Sequence, residues 1–277
     1  MRLPLLAVVT GMVMSLPAHR RQPGPTSGHY IQHALSLPGH KWIKRVAPHA
    51  DVYVLAGSRA EILVDSIADK AERAIKYDLD WLGESFKGPR LTLFVVGTRA
   101  EMKPLINATY GGLPIMDEHA VFMVGSDSTQ PPMRHEIMHL LSWQFWGTPA
   151  TGWLSEGVAM LTMPRCGGIH VDPMAAELIR EGKYIPLETL WHSFDSKAEP
   201  GVRNYVEGAS LLQYVDRRWG RAKLKAFWPI GAYKNTQQRL GVDLPTLERD
   251  WKASLAKEKP TVTWDAYFKD LTLHGCE

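Results

Sequence analysis

The chain contains one short run whose residue types suit metal chemistry, His135-Glu136-Ile137-Met138-His139. On a helix, residues four apart lie one turn above each other, so both imidazoles project from the same face. Two ring nitrogens placed in this way can bind one Zn²⁺ ion. The carboxylate of Glu136 then lies beside the metal, where it can act as a general base. The motif therefore predicts a metal centre that activates water.

A third ligand is needed, and two arrangements can be compared. The metzincin pattern takes a third His from the same segment and requires Gly at position 142 and His at position 145; Ser142 and Phe145 exclude it. The other arrangement takes a carboxylate from the next helix, and Glu156 follows His139 by seventeen residues. Three residues between them form a turn that lets the second helix fold back: Gly147, Pro149 and Gly152. Two His and one Glu leave one coordination position open, as in catalytic zinc sites.

Other interpretations of these residues stay open at this point. His135 and His139 could be ordinary core or surface histidines. Glu156 could instead cap a surface helix or form an ion pair on one. The surrounding residues favour the metal site, because the segment from Met133 to Phe145 has few helix breakers and enough apolar residues to form a buried helix.

The run H-E-x-x-H followed by W-L-S-E-G-x-A at residues 153–159 resembles the gluzincin metallopeptidases, the clan that includes thermolysin and the zinc aminopeptidases. More closely, it is similar to small bacterial peptidase-like proteins of that clan, over roughly residues 50–257. Outside the two zinc segments, the resemblance rests on a helical tail and a late helix: Tyr205, Leu211, Tyr214, Gly220 and the run Gly241–Trp251.

The resemblance implies one zinc ion per chain bound by His135, His139 and Glu156, with Glu136 as general base and Tyr205 as the residue that stabilises the oxyanion. The substrate would be a peptide or protein. From the sequence, three other side chains could take the role of Tyr205: His192, Tyr184 and Arg203. Thermolysin-like members also carry an acidic residue four positions after the ligand Glu. Here that position is Met160, so the sequence does not identify an acceptor for the second N–H of either histidine.

Two functional classes fit this site. The first is an active zinc metallopeptidase, and the second is a non-catalytic zinc- or peptide-binding protein on a gluzincin scaffold. Retention of Glu136 favours activity, because metal binding alone does not require a base. No G-x-M-E-N run, which would bind a free α-amino group, precedes the zinc helix. We therefore favour an endopeptidase over an aminopeptidase.

Around the motif, the sequence predicts an α+β fold of zincin type with the zinc site between two lobes. The N-terminal lobe, residues 51–131, is expected to contain strands at 51–55, 91–96 and 120–124 and helices at 61–82 and 98–106. The lobe formed by residues 132–277 is mainly helical. In gluzincins the strand before the zinc helix is the edge that pairs with substrate, so we expect residues 120–124 to form that edge.

The termini and the composition bear on location and partners. Residues 1–18 have the pattern of a signal peptide, because a positive residue precedes an apolar run that is too short to span a bilayer. This pattern predicts that the protein is exported to the periplasm or secreted. Residues 19–50 are expected to form a leader or surface arm. Cys166 and Cys276 could form one disulfide or remain separate thiols. With 32 basic and 29 acidic residues and no basic run, we expect no nucleic-acid partner, and no stable membrane span after signal removal.

Overall fold

The computed structural model describes residues 29–163, 165–166, 169–193, 200–229 and 235–267. The predicted signal peptide and Cys276 lie outside these residues. The strands are β1 (Trp42–Val46), β2 (Ala50–Leu55), β3 (Leu91–Val96), β4 (Gly112–Ile115), β5 (Ala120–Val124), β6 (Arg165–Cys166) and β7 (Ile169–His170). The helices are α1 (Tyr30–Ser36), α2 (Ile67–Leu82), α3 (Arg99–Ile106), α4 (Met133–Trp146), α5 (Gly152–Thr162), α6 (Val171–Arg180), α7 (Leu187–Ser193), α8 (Pro200–Trp219), α9 (Arg221–Phe227), α10 (Thr236–Leu240) and α11 (Leu244–Ser254).

The first five strands form one sheet in the order β1-β2-β3-β5-β4. Strands β2, β3 and β5 run parallel, whereas β1 and β4 pair antiparallel with β2 and β5. The apolar runs at β3 and β5 are largely buried because helices cover both faces of the sheet. One core lies between the sheet, α2, α4, α5 and α8, and a smaller core lies under α1 and α3. The fold is therefore mixed α+β, with a five-stranded sheet and many helices.

The prediction that residues 120–124 form the edge of the sheet is wrong. All five residues of β5 are buried, and β5 pairs with β3 on one side and with β4 on the other. The edge of the sheet beside the zinc-motif helix is β4, which begins at Gly112. This strand was not predicted because it is only four residues long and contains Gly112 and Pro114. These residue types are typical of turns and of edge strands.

The expectation of a surface arm is wrong for residues 30–46, which form α1 and β1. β1 pairs with β2 from Trp42 to Val46. The Trp42 ring packs edge-on against Phe94, with 5.0 Å between ring centroids, and its indole N–H donates to the Ala34 carbonyl. These contacts fix the segment to the sheet.

The helix predicted at 61–82 begins later than expected. Residues Arg59–Leu63 form a 3-10 helix, and the α-helix starts only at Ile67, after Ser66. Thr98 accepts a hydrogen bond from the Glu101 N–H and caps the start of α3, which covers the helix predicted at 98–106. Within the described residues, no helix combines the length and the apolar character needed to cross a membrane.

Candidate metal centre

The helix α4 carries the H-E-x-x-H motif, and its two faces have different partners. Ile137, Leu140 and Leu141 are buried in the larger core. His135 and His139 lie on the other side, with Trp143 one further turn along the helix, and all three line a cleft of about 880 Å³. The two histidines of the motif therefore face the cleft because the apolar residues on the opposite face of α4 pack against the core.

The turn after α4 brings the next helix back beside it. Gly147 ends α4 with a φ of +79°, a conformation that favours glycine. Trp228 holds this turn at two points: its indole N–H donates to the Gly147 carbonyl, and its backbone carbonyl accepts from the Ala150 N–H, both at 2.7 Å. Helix α5 then starts at Gly152 and places Glu156 opposite the two histidines.

Three side-chain atoms converge at one point of the cleft. His135 Nε2 and His139 Nε2 lie 3.2 Å apart, and Glu156 Oε2 lies 3.0 Å from the first and 3.3 Å from the second. Two ligand atoms at tetrahedral positions about 2.0–2.1 Å from one zinc ion are about 3.3 Å apart. The observed triangle therefore fits the three protein ligands of a tetrahedral zinc site.

The charge of the cluster also suits a cation. Burial by itself raises the pKa of Glu156, but the nearby imidazoles of His139 and His135 outweigh it and hold that pKa well below its usual range. Glu156 is thus an ionised carboxylate that can bind a metal.

His139 has a hydrogen-bond partner that the sequence did not reveal. Its Nδ1 lies 2.8 Å from the Ser155 hydroxyl oxygen. When Nε2 faces the shared point, Nδ1 carries the proton and the Ser155 oxygen accepts it, which fixes the ring orientation. Met160, the residue at the thermolysin-like position, is buried in the larger core. In the sequence, only the position of Ser155 directly before the proposed ligand Glu156 could have indicated this hydrogen bond.

Glu136 lies beside the three converging atoms, and its side chain is largely buried. Burial raises the pKa of Glu136 to about 7, and the negative charge of Glu156 adds to this effect while His135 opposes it. A carboxylate with such a pKa can take up and release a proton near neutral pH. Its place depends on Gly112 in β4, since a Cβ at that position would overlap the Glu136 carboxylate.

Tyr205 reaches the site from α8. Its ring is nearly parallel to that of His135, with 6.4 Å between centroids, and its hydroxyl hydrogen-bonds with Glu156. Burial, followed by the charge of Glu156, raises the pKa of Tyr205, so the hydroxyl keeps its proton. The close approach of α5 and α8 needs glycines: a Cβ at Gly157 would lie 3.0 Å from the Gly208 carbonyl carbon.

The other side chains considered for the Tyr205 role are placed elsewhere. Arg203 donates to the Lys183 carbonyl, and the Tyr184 ring packs against the Lys252 ammonium group. Neither is among the residues that line the cleft. The side chain of His192 lies outside the described part of the structure.

Comparison with known proteins gives only distant likenesses. No protein-family model and no curated protein matches the chain. Among solved structures, native yeast LTA4 hydrolase is 18% identical with a TM-score of 0.40, and the likeness covers 82% of this chain and 39% of that one. The complex of yeast LTA4 hydrolase with bestatin gives 18% identity and a TM-score of 0.37, with the same coverage. An aminopeptidase N family protein from Idiomarina loihiensis is 11% identical with a TM-score of 0.39, over 84% of this chain and 46% of that one.

The chain thus spans less than half the length of these structures.

Proposed function

We propose that this protein is a zinc-dependent peptidase. The observation that carries the proposal is the convergence of His135 Nε2, His139 Nε2 and Glu156 Oε2 within 3.0–3.3 Å of one another, in a cleft that also holds the buried carboxylate of Glu136. In this proposal the three converging residues bind one zinc ion and Glu136 is the general base.

Zinc bound in this way would lower the pKa of a water ligand to about 7 and polarise a carbonyl group. Glu136 accepts the proton of the attacking water and delivers it to the leaving amine. The burial of Glu136 keeps bulk water from competing for the proton.

Tyr205 is proposed to stabilise the negative charge that develops on the carbonyl oxygen. Its raised pKa keeps the hydroxyl as a donor, and its contact with Glu156 keeps that donor beside the proposed metal ligands. A neutral donor in a cleft of low polarity interacts strongly with a developing oxyanion.

The edge strand β4 is proposed to bind the substrate backbone. The Val124 N–H donates to the Gly111 carbonyl, so Gly111 is hydrogen-bonded to β5. Along an antiparallel strand, every second residue is hydrogen-bonded to the partner strand, and the residues between them face the other side. Gly112 and Pro114 therefore turn their backbone groups to the open edge, where an extended peptide can add as a further strand. Both residues line the same cleft as the metal site.

The lining of the cleft supports an endopeptidase. Among the described residues that line it, the only carboxylates are Glu136 and Glu156, and no Lys or Arg is present. The rest of the surface is neutral, which suits the backbone of an internal peptide segment. A peptidase that binds a free terminus would place an opposite charge there.

The test is digestion of a mixed peptide library by the purified, zinc-loaded protein, read by mass spectrometry beside Glu136→Gln. Zinc content is measured for both. We expect one zinc per chain in each protein, cleavage by the wild type alone, and loss of cleavage after removal of zinc by a chelator. Acetylation and amidation of the peptide ends should leave cleavage intact if the enzyme is an endopeptidase.

Equal cleavage by the wild type and Glu136→Gln would reject Glu136 as base. Zinc binding without cleavage by either protein would favour the non-catalytic zinc-binding alternative. Failure of the wild type to retain zinc would reject the metal centre itself.

A further inference from the structure

A second cleft, of about 590 Å³, lies between α2, the start of α4 and the end of α5. It shares no lining residue with the metal-site cleft. Three basic side chains surround it, Lys70 and Arg73 from α2 and Arg134 from α4, and no Asp or Glu is among its described lining residues. The cleft is therefore a local concentration of positive charge on a chain with nearly balanced charge.

The guanidinium group of Arg134 is held in a fixed position. It lies 3.6 Å from the centroid of the Tyr77 ring, and its Nη2 donates to the Thr162 carbonyl at the end of α5. A cation fixed by stacking and by one hydrogen bond loses little conformational freedom when it binds a ligand.

The other two cations have no ionic partner within the described part of the chain. Lys70 makes one long contact, 3.5 Å to the Gln130 amide oxygen, and Arg73 is exposed without an ion pair. The carboxyl group near Arg134 is that of Asp78, which is fully buried, and burial raises its pKa well above its usual value. That carboxyl group does not line the cleft, and its attraction for Arg134 opposes the rise in its pKa.

Most of the remaining lining is apolar, and four side chains form it together with the Tyr77 ring: Ala74, Pro131, Met133 and Met163. Two polar residues, Gln130 and Thr162, complete it. Methionine side chains adapt to the shape of an apolar ligand group. An apolar floor rimmed by basic groups suits a ligand that carries an anionic head and an apolar neighbour.

We propose that this cleft binds an oxyanion, either a carboxylate or a phosphate, that is attached to an apolar group. Arg134 and Arg73 provide guanidinium groups that donate paired hydrogen bonds to either anion. Lys70 adds a third positive charge. The apolar group lies against Met133 and Met163.

The test is calorimetric titration of the zinc-loaded protein with hexanoate, hexyl phosphate and hexylamine, which share one apolar tail. We expect at least one of the anions to bind and the cationic amine not to bind; comparison of the two anions identifies the preferred head group. Arg73→Gln should weaken anion binding about threefold to tenfold, and the double variant with Lys70→Gln should weaken it further. Both residues are at least partly exposed on α2, so the variants should fold.

Lys76→Gln is the matched control, since Lys76 is an exposed cation on the same helix that does not line the cleft. It should bind the anions like the wild type. A carboxylate can also bind zinc, but such binding would not depend on Arg73 or Lys70. Anion binding that is unchanged in both variants, equal binding of hexylamine, or no binding of either anion would overturn the proposal.

Discussion

The carboxylate of Glu136 lies directly against the backbone of Gly112, so that a Cβ added at Gly112 would come within 2.5 Å of Glu136 Cδ. Gly112 has no positive φ, so glycine is needed here for space rather than for backbone conformation. The first residue of the edge strand β4 therefore helps to fix the position of the proposed base on α4.

Gly112→Ala should displace the Glu136 carboxylate while it leaves His135, His139 and Glu156 in place. We expect kcat to fall about 100-fold, since a shift of about 1 Å in a catalytic group has a cost of this size. Zinc content should stay at one per chain. The measurements are steady-state kinetics and metal analysis.

Gly111→Ala is the matched control for this prediction. A Cβ at Gly111 would make only an ordinary contact, 3.7 Å from Arg99 Nη2, so activity should be close to wild type. Equal activity losses in the two variants would show that the effect comes from general damage to β4.

The sequence predicted which residues meet at the site better than it predicted their surroundings. Four-residue spacing on a helix decides that His135 and His139 share a face, whatever the rest of the fold. The contacts of Ser155 with His139 and of Gly112 with Glu136 depend on how separate elements pack, and no local pattern encodes that packing.

The same distinction applies to the fold. The strands at 91–96 and 120–124 have the predicted bounds because each is a continuous apolar run. Strand β1 was missed because its sequence, Trp-Ile-Lys-Arg-Val, has charges at its centre. Edge strands often carry such charges, which weakens their apolar pattern.

Ser155→Ala should lower the affinity for zinc without loss of any ligand. The variant removes the oxygen that accepts from His139 Nδ1, and the loss of such a partner typically weakens metal binding 10- to 100-fold. Competition with a zinc chelator gives the dissociation constant. Ser155→Thr keeps the hydroxyl and should retain most of the affinity; an unchanged constant in Ser155→Ala would contradict this role.

Glu207 on α8 should make stability depend on pH. Its side chain is fully buried, and burial raises its pKa from 4.5 to about 8, although the Ile185 N–H and Arg203 oppose the shift. Between pH 4.5 and 8 the folded protein keeps the Glu207 proton that the unfolded chain has lost. This contribution to the free energy of unfolding is therefore complete below pH 4.5 and disappears as the pH rises towards 8.

Glu207→Gln should remove this pH dependence and still accept from the Ile185 N–H, which lies 3.0 Å from both carboxylate oxygens. We expect the difference in unfolding free energy between the two proteins to change by on the order of 3 kcal/mol across this range. Urea titrations at pH 5 and pH 8.5 measure it. Parallel pH profiles of the two proteins would refute the assignment.

Gly157→Ala tests the crossing of α5 and α8. A Cβ at Gly157 would lie 2.7 Å from Leu212 Cδ1 and 3.0 Å from the Gly208 carbonyl carbon. The backbone of a helix cannot shift easily to relieve such a contact. We expect a loss of about 1–3 kcal/mol in the free energy of unfolding, the usual cost of overpacking. Denaturant titration measures the loss. Wild-type stability would mean that the two helices can separate without cost.

Tyr205→Phe tests whether the Tyr205 hydroxyl acts on the reaction or only supports the site. The variant keeps the ring beside His135 and removes the donor, so we expect kcat to fall about 100- to 1000-fold while the zinc content stays the same. Tyr110 also lines the cleft and is 52% exposed. Tyr110→Phe is therefore the matched control and should keep kcat close to wild type. If Tyr110→Phe alone lowered kcat, the oxyanion donor would be Tyr110, and the contact between Tyr205 and Glu156 would serve only to hold the ligand.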